Sequence, residues 1–97
     1  MKNLKIMAVC GFGVGSSMIL KMKIDDVLKS NGLKAEVFTA DVGTAPSTQC
    51  DIIFTSKEIF SQLKAKVTVP VIQINNFMNK SEIEEKGMEI IKNLIED

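Results

Sequence analysis

Residues 4–18, LKIMAVCGFGVGSSM, decide the fold of this chain. The nearly continuous apolar run at 4–9, closed by a Cys-Gly pair, is typical of a buried β-strand. Three glycines at alternate positions follow, and then Ser16 or Ser17 can cap a helix. A strand, a glycine-rich loop and a helix in this order predict an α/β protein built on parallel strands.

The rest of the chain continues the alternation of strands and helices. The strands are predicted at residues 4–9, 35–40, 51–55 and 67–74, and the helices at 16–30, at 56 to about 64, and after a capping box at 81–84. Asn31-Gly32 is expected to end the first helix. Pro70 inside the fourth strand indicates an edge position, because proline cannot donate a ladder hydrogen bond.

This order of elements predicts a parallel sheet with helices on both faces and right-handed crossovers. In such sheets, ligands bind beyond the carboxyl ends of the strands, where the direction of winding reverses. The loops at that edge begin at Cys10, Asp41, Ser56 and Asn75. The loop after Cys10 has the most unusual composition and is therefore the candidate site.

Composition narrows the class of protein. The length of 97 residues predicts a single domain, residues 1–97. The formal net charge of zero argues against a nucleic-acid partner. No run of about 18 apolar residues and no signal-like start are present, so we expect a cytoplasmic protein. The chain has no His and only two Cys, so no metal site or other cofactor is expected.

The glycine-rich loop predicts an anion site with a nucleophile at its mouth. Alternating glycines let successive N–H groups point into one concavity, and the helix start adds its own N–H groups and dipole. A cysteine thiol, ordinarily near pKa 8.5, is acidified at such a position. We therefore predict Cys10 as a nucleophile that carries a transferable group. The predicted phosphate-binding residues are Gly11, Phe12, Gly13, Val14, Gly15, Ser16 and Ser17.

Three known loop motifs each require a residue that this loop does not contain. Ser16 stands where a dinucleotide fingerprint needs its third glycine, and the loop contains no lysine for a Walker A motif. Ser16 also occupies the place of the phosphate-clamping arginine of C-x5-R phosphatases. An anion or nucleotide module in which Cys10 only packs, a small cysteine-dependent phosphatase and a thiol reductase stay as alternatives.

Several segments resemble one known family. The signature is Cys10-Gly11-x-Gly13-x-Gly15-Ser16-Ser17-Met18 followed by Lys21-Met22-Lys23, and the likeness continues in Asp51-Ile52-Ile53-x-Thr55-Ser56 and in Val71-Ile72 before Asn75-Asn76. The chain resembles, over essentially its whole length, the EIIB components of the bacterial phosphoenolpyruvate-dependent sugar phosphotransferase system (PTS). The likeness is strongest to the ascorbate type, which is also galactitol-like.

The resemblance implies a fold and a reaction. The fold is a four-stranded parallel sheet of order 2-1-3-4 with three helices, a Rossmann-like or phosphatase-like three-layer sandwich. The reaction passes a phosphoryl group from a phosphohistidine on an EIIA protein to Cys10, and from there to a sugar, ascorbate, held by a membrane EIIC transporter. Phe12 and Val14 would tune the choice of partner or substrate.

A few other side chains have two possible roles. Cys50 is interpreted as a structural thiol rather than a resolving partner for Cys10. Lys21 and Lys23 are solvated charges or contacts for an acidic partner. The loop beside the site contributes a lid, a partner contact or ordinary turns through Asp41, Gly43, Thr44 and Ser47. Ser56 caps a helix and could reach the phosphate if the third strand neighbours the first.

Overall fold

The computed structural model describes residues 4–10 and 14–96, with side chains for 4–9 and 18–94. The described elements are β1 (Lys5–Cys10), α1 (Val14–Ser30), β2 (Glu36–Asp41), a 3₁₀ turn (Ala45–Ser47), β3 (Ile52–Thr55), α2 (Lys57–Lys64), β4 (Val71–Gln73) and α3 (Lys80–Glu96). Each predicted strand and helix is present, with boundaries that shift by one to four residues.

The four strands form one parallel sheet in the order β2-β1-β3-β4. This confirms the predicted α/β class, strand order and number of strands. The chain winds from β1 outward to β2 and then returns to the other side for β3 and β4. The direction of winding therefore reverses between β1 and β3, so the crevice expected to bind ligands lies beyond their carboxyl ends.

The core has two layers because successive side chains of a strand point to opposite faces of the sheet. On one face, alternate residues of β1 pack with α1 and α3; on the other face, the intervening residues pack with α2. The first set of β1 residues is Ile6 and Ala8, joined by Leu4 just before the strand, and the second is Met7 and Val9. Helices on both faces, as predicted, bury residues 6–9 of the central strand β1 completely.

The end of α1 matches its prediction. Gly32 has φ +67°, a left-handed conformation that costs glycine least. The Leu33 amide donates to the Leu28 carbonyl at 2.9 Å and the Gly32 amide to the Lys29 carbonyl at 3.2 Å. These two bonds are the Schellman pattern, which turns the chain sharply toward β2.

The fourth strand is shorter than predicted. It begins at Val71 rather than at residue 67, because Pro70 lacks the N–H that a ladder requires. The Pro70 carbonyl still accepts a hydrogen bond from the Ile53 amide at 3.0 Å. The edge position that the proline indicated is confirmed.

The start of α3 corrects the predicted capping box. The helix begins at Lys80, so Ser81 is inside its first turn. Asn79 is the N-cap, since its Oδ1 accepts a hydrogen bond from the Glu82 amide at 3.2 Å. The prediction was wrong by two residues because Asn79-x-x-Glu82 and Ser81-x-x-Glu84 both fit the same capping pattern.

Candidate functional site

Cys10 is the last residue of β1 and lies at the carboxyl edge of the sheet. Its Cα atom is in register with that of Asp41 on β2, and Val9 is in register with Thr55 on β3. Cys10 therefore stands at the point where the direction of winding reverses. Its side chain lies outside the described part of the structure.

The predicted phosphate-binding residues fall into two groups. Gly11, Phe12 and Gly13 lie outside the described residues. The backbone of Val14, Gly15, Ser16 and Ser17 forms the first turn of α1, so the prediction that Ser16 or Ser17 caps the helix is wrong. The first four N–H groups of a helix have no intrahelical partner. Those of residues 14–17 are thus free of partners within the helix, and their binding of an anion stays a prediction.

Thr55 holds the end of β1 from the neighbouring strand. Its side chain is fully buried, and its Oγ1 donates to the Val9 carbonyl oxygen at 3.0 Å. The Thr55 carbonyl in turn accepts from the Ile74 amide at 2.9 Å. Sequence reasoning gave Thr55 no separate role, although a polar residue closing the apolar run Ile52-Ile53-Phe54 was a usable signal.

Asp41 organises the loop that follows β2. Its Oδ1 accepts from the Thr44 amide at 2.8 Å and from the Thr44 hydroxyl at 3.0 Å. These hydrogen bonds from the backbone and side chain of Thr44 lower the pKa of Asp41. The exposed carboxylate is therefore a persistent negative charge beside the end of β1. The same loop is closed by hydrogen bonds to the Thr44 carbonyl from Ser47 and Thr48, which is ordinary turn chemistry.

Ser56 is the N-cap of α2 by position but its side chain makes no capping hydrogen bond. A hydrogen bond from the Glu58 backbone amide, followed by one from the Ser56 hydroxyl, lowers the pKa of Glu58. The sequence predicted that Ser56 could reach the phosphate if the third strand neighbours the first, and β3 does neighbour β1. The prediction that the Ser56 hydroxyl reaches the phosphate stays a prediction, since the side chains of residues 10–17 lie outside the described part of the structure.

Glu82 anchors the loop after β4. Sequence reasoning did not predict this role. Its carboxylate accepts from the backbone amides of Asn75 and Asn76 at 2.7 and 3.0 Å and from Lys86 Nζ at 2.6 Å. Lys86 also donates to the Gln73 carbonyl at 3.0 Å. Burial alone would raise the pKa of Glu82, but the hydrogen bonds from Lys86 and the two amides outweigh burial and lower it.

Cys50 belongs to the opposite edge of the sheet. The next residue, Asp51, donates its amide to the carbonyl of Lys5, the first residue of β1. Cys10 is five residues further along β1, about 16 Å at the usual rise of a strand, whereas a disulfide needs Cα atoms within about 7 Å. Burial raises the pKa of the Cys50 thiol. These observations favour a structural thiol over a resolving partner.

The start of α1 carries an exposed apolar surface. Met18, Ile19 and Met22 are 51%, 42% and 61% exposed, and Met78 in the loop after β4 is 62% exposed. An ion pair of 3.3 Å between Lys80, the first residue of α3, and Asp26 joins α3 to α1. We call Met18, Ile19 and Met22, which lie within about one and a half turns of α1, the methionine surface. Lys21, next to it, pairs with Asp25 at 3.1 Å, so one of the two predicted docking lysines is already engaged.

The fold and the site define a class: a small doubly wound α/β protein with a cysteine at its switch point and a helix that begins four residues later in the chain. No helix in the described ranges is long and apolar enough to cross a membrane. The sequence model of the family described as "PTS system, Lactose/Cellobiose specific IIB subunit" matches residues 5–89. The chain therefore belongs to the PTS IIB family.

Individual relatives agree with this assignment. An ascorbate-specific PTS system EIIB component from Mycoplasma pneumoniae is 31% identical over 86 residues, which is 87% of this chain and 90% of the relative. The protein of the same name from Salmonella typhimurium is 34% identical over 92 residues, 93% of this chain and 91% of the relative. The Escherichia coli O157:H7 protein of that name gives the same identity and coverage.

A solved structure shows the same fold. It is the lactose-specific IIB component domain of the phosphoenolpyruvate:carbohydrate phosphotransferase system from Streptococcus pneumoniae. It superposes with a TM-score of 0.66 at 14% identity and covers 98% of this chain and 97% of its own. The family confirms the resemblance found in the sequence and gives the chain a phosphoryl-transfer role in sugar uptake. It also favours that role over the binding-module, phosphatase and reductase alternatives.

Proposed function

We propose that Cys10 carries the phosphoryl group of this PTS IIB protein as a phosphocysteine. The single observation that carries the proposal is the position of Cys10, which ends the central strand four residues before α1 begins at Val14 with its unpaired amides. Such an arrangement stabilises first a thiolate and then the phosphoryl oxygens.

The transfer takes place in two displacements. In the first, the Cys10 thiolate attacks the phosphorus of a phosphohistidine on EIIA; the S–P bond forms, the N–P bond breaks, and the imidazole nitrogen leaves with the electron pair. In the second, a sugar hydroxyl attacks the same phosphorus; the O–P bond forms, the hydroxyl proton passes to a base, and Cys10 leaves as a thiolate. No oxidant, metal or further cofactor is required.

The loop composition suits a carrier better than a hydrolase. Residues 11–17 contain no Arg or Lys, so the site lacks the bidentate clamp that would stabilise the transition state for attack by water. Backbone N–H groups hold the phosphoryl oxygens without that additional charge. The phosphoryl group therefore persists on Cys10 until the acceptor arrives.

We propose ascorbate as the sugar and a membrane EIIC as the protein that holds it. The support comes from the relatives named ascorbate-specific, which match about nine-tenths of the chain. We also propose that the transfer takes place at the cytoplasmic face of the membrane, where EIIA and the transporter can reach the same Cys10. The methionine surface, exposed beside α1's start, is the docking contact that we propose for EIIA, since exposed apolar patches mark protein interfaces.

Intact-mass spectrometry after incubation with a phosphoenolpyruvate-driven cascade tests the proposal. The chain should gain the mass of one phosphoryl group, about 80 Da. Cys50→Ser, the matched control at the opposite edge, should gain it too, whereas Cys10→Ser should not. A Cys10→Ser protein that gains the same mass would overturn the proposal.

A further inference from the structure

Thr55 is the buried polar residue nearest to the end of β1 among the side chains that the structure describes. Its neighbours on β3, Ile52, Ile53 and Phe54, are buried and apolar. A valine would fill the same volume, and a buried hydroxyl costs free energy unless it is hydrogen bonded. Thr55 meets that requirement through a single acceptor, the Val9 carbonyl at 3.0 Å. The hydroxyl therefore donates its hydrogen bond to one backbone atom of β1.

That backbone atom belongs to the peptide group that precedes Cys10. The Val9 carbonyl and the Cys10 amide share one planar unit, so a hydrogen bond that orients the carbonyl also orients the Cys10 N–H and Cα. The bond joins residues 46 positions apart in the chain and comes from the strand on the far side of the switch point. Cys10 itself is the final residue of the ladder, where strand pairing alone constrains it least.

Thr55 is in turn fixed from its other side. Its carbonyl accepts the Ile74 amide at 2.9 Å, and Val9 and Thr55 are in register across β1 and β3. The hydroxyl is therefore held by a rigid three-strand unit rather than by a loop. Groups on rigid elements maintain reactive geometry better than groups on loops.

We propose that Thr55 is a positioning residue for phosphoryl transfer, and that its hydroxyl fixes the orientation of the Val9–Cys10 peptide and thereby the position of the Cys10 Cα. This inference rests on the proposed function of Cys10. Because the Thr55 side chain is fully buried, we assign it a role through the peptide and not through contact with a partner. Its contribution is to the geometry of attack, where small misalignments are costly.

Two variants separate this role from packing. Thr55→Val removes the hydroxyl and keeps the shape, and Thr55→Ser keeps the hydroxyl. Both variants also carry Cys50→Ser, so that the measured alkylation is that of Cys10. We expect Thr55→Val to slow phosphoryl gain about tenfold and to move the alkylation profile of Cys10 to higher pH, while Thr55→Ser stays within about twofold of the parent.

Equal rates and equal alkylation profiles for Thr55→Val and the parent would overturn the inference, as would a Thr55→Ser variant as slow as Thr55→Val. Urea unfolding of each variant checks that it is folded. Should Thr55→Val not fold, NMR of the parent decides: the Thr55 hydroxyl proton must be protected from exchange and must shift when Cys10 is phosphorylated. A parent that takes up no phosphoryl group would instead contradict the proposed function.

Discussion

Cys10 and Asp41 lie side by side, with their Cα atoms in register at the carboxyl ends of β1 and β2. Asp41 stays ionised because hydrogen bonds from Thr44 lower its pKa. A fixed negative charge one strand away opposes formation of a thiolate at Cys10. The helix start must therefore outweigh Asp41, and the balance between them sets the reactivity of the thiol.

Asp41→Asn should increase the reactivity of Cys10. Asparagine keeps the oxygen that accepts from Thr44, so the loop is retained while the charge is lost. Alkylation of Cys10 at pH 7 should become about twofold faster, the scale expected for one charge at this distance in water-like surroundings. Asp51→Asn, at the opposite edge, should have no effect. An unchanged or slower rate in Asp41→Asn would contradict this account of the charge.

Gly87→Ala should destabilise the fold. A Cβ at this buried position would lie 2.6 Å from Phe54 Cε2 and in contact with Cζ as well. Overpacking of this kind costs about 1–3 kcal/mol, more than the helix propensity that alanine gains. Urea unfolding should show the loss, and Phe54→Leu in the same chain should recover part of it. Asn93→Ala, exposed on α3, is the control and should not destabilise; equal stability of the two alanine variants would refute the close packing.

Glu82→Gln should lower stability in a pH-dependent way. A carboxyl whose pKa is lowered by folding contributes stability above its unfolded pKa, near 4.5, and loses it as pH falls through the folded value. The variant should be less stable by about 1 kcal/mol at pH 7, and the difference should shrink as the pH falls through the lowered pKa of the folded state. Glu85→Gln, exposed on the same helix, is the control. A difference that grows in acid would show that the charge has the opposite effect.

Met22→Lys should weaken docking without unfolding the protein, because Met22 is 61% exposed. If EIIA contacts the methionine surface, the EIIA concentration for half-maximal phosphorylation should rise about fivefold, with little change in the maximal rate. Ser30→Lys, at the far end of α1, adds the same charge away from the site. The docking proposal fails if both variants behave alike or if only the maximal rate falls.

The order of elements was predictable because each strand is a compact apolar run bounded by turn residues. Cys10 was predictable for the same reason, since the run at residues 4–9 ends there. The boundaries of the elements were less predictable. Pro70 shortens β4 to Val71–Gln73, and two overlapping capping patterns precede the helix α3. These ambiguities are local and are resolved by the hydrogen bonds that the folded chain makes.

The supporting contacts of the site were not predictable from local pattern. Thr55 reaches Val9 across 46 residues, and Glu82 turns back to the amides of Asn75 and Asn76 instead of its own N-cap. Each bond depends on which strands become neighbours and how a loop folds over a helix end. The contribution of Gly11 to Gly13 to anion binding stays a prediction.

The most direct test of the account follows the backbone amides by NMR as Cys10 becomes phosphorylated. The phosphorylated chain should show a ³¹P resonance typical of an S–P bond. Its largest amide proton shifts should fall on residues 11–17, downfield as expected for N–H groups that bind an anion. The account would be contradicted by the largest shifts falling at the opposite edge of the sheet, around Cys50, or by the same ³¹P resonance in Cys10→Ser.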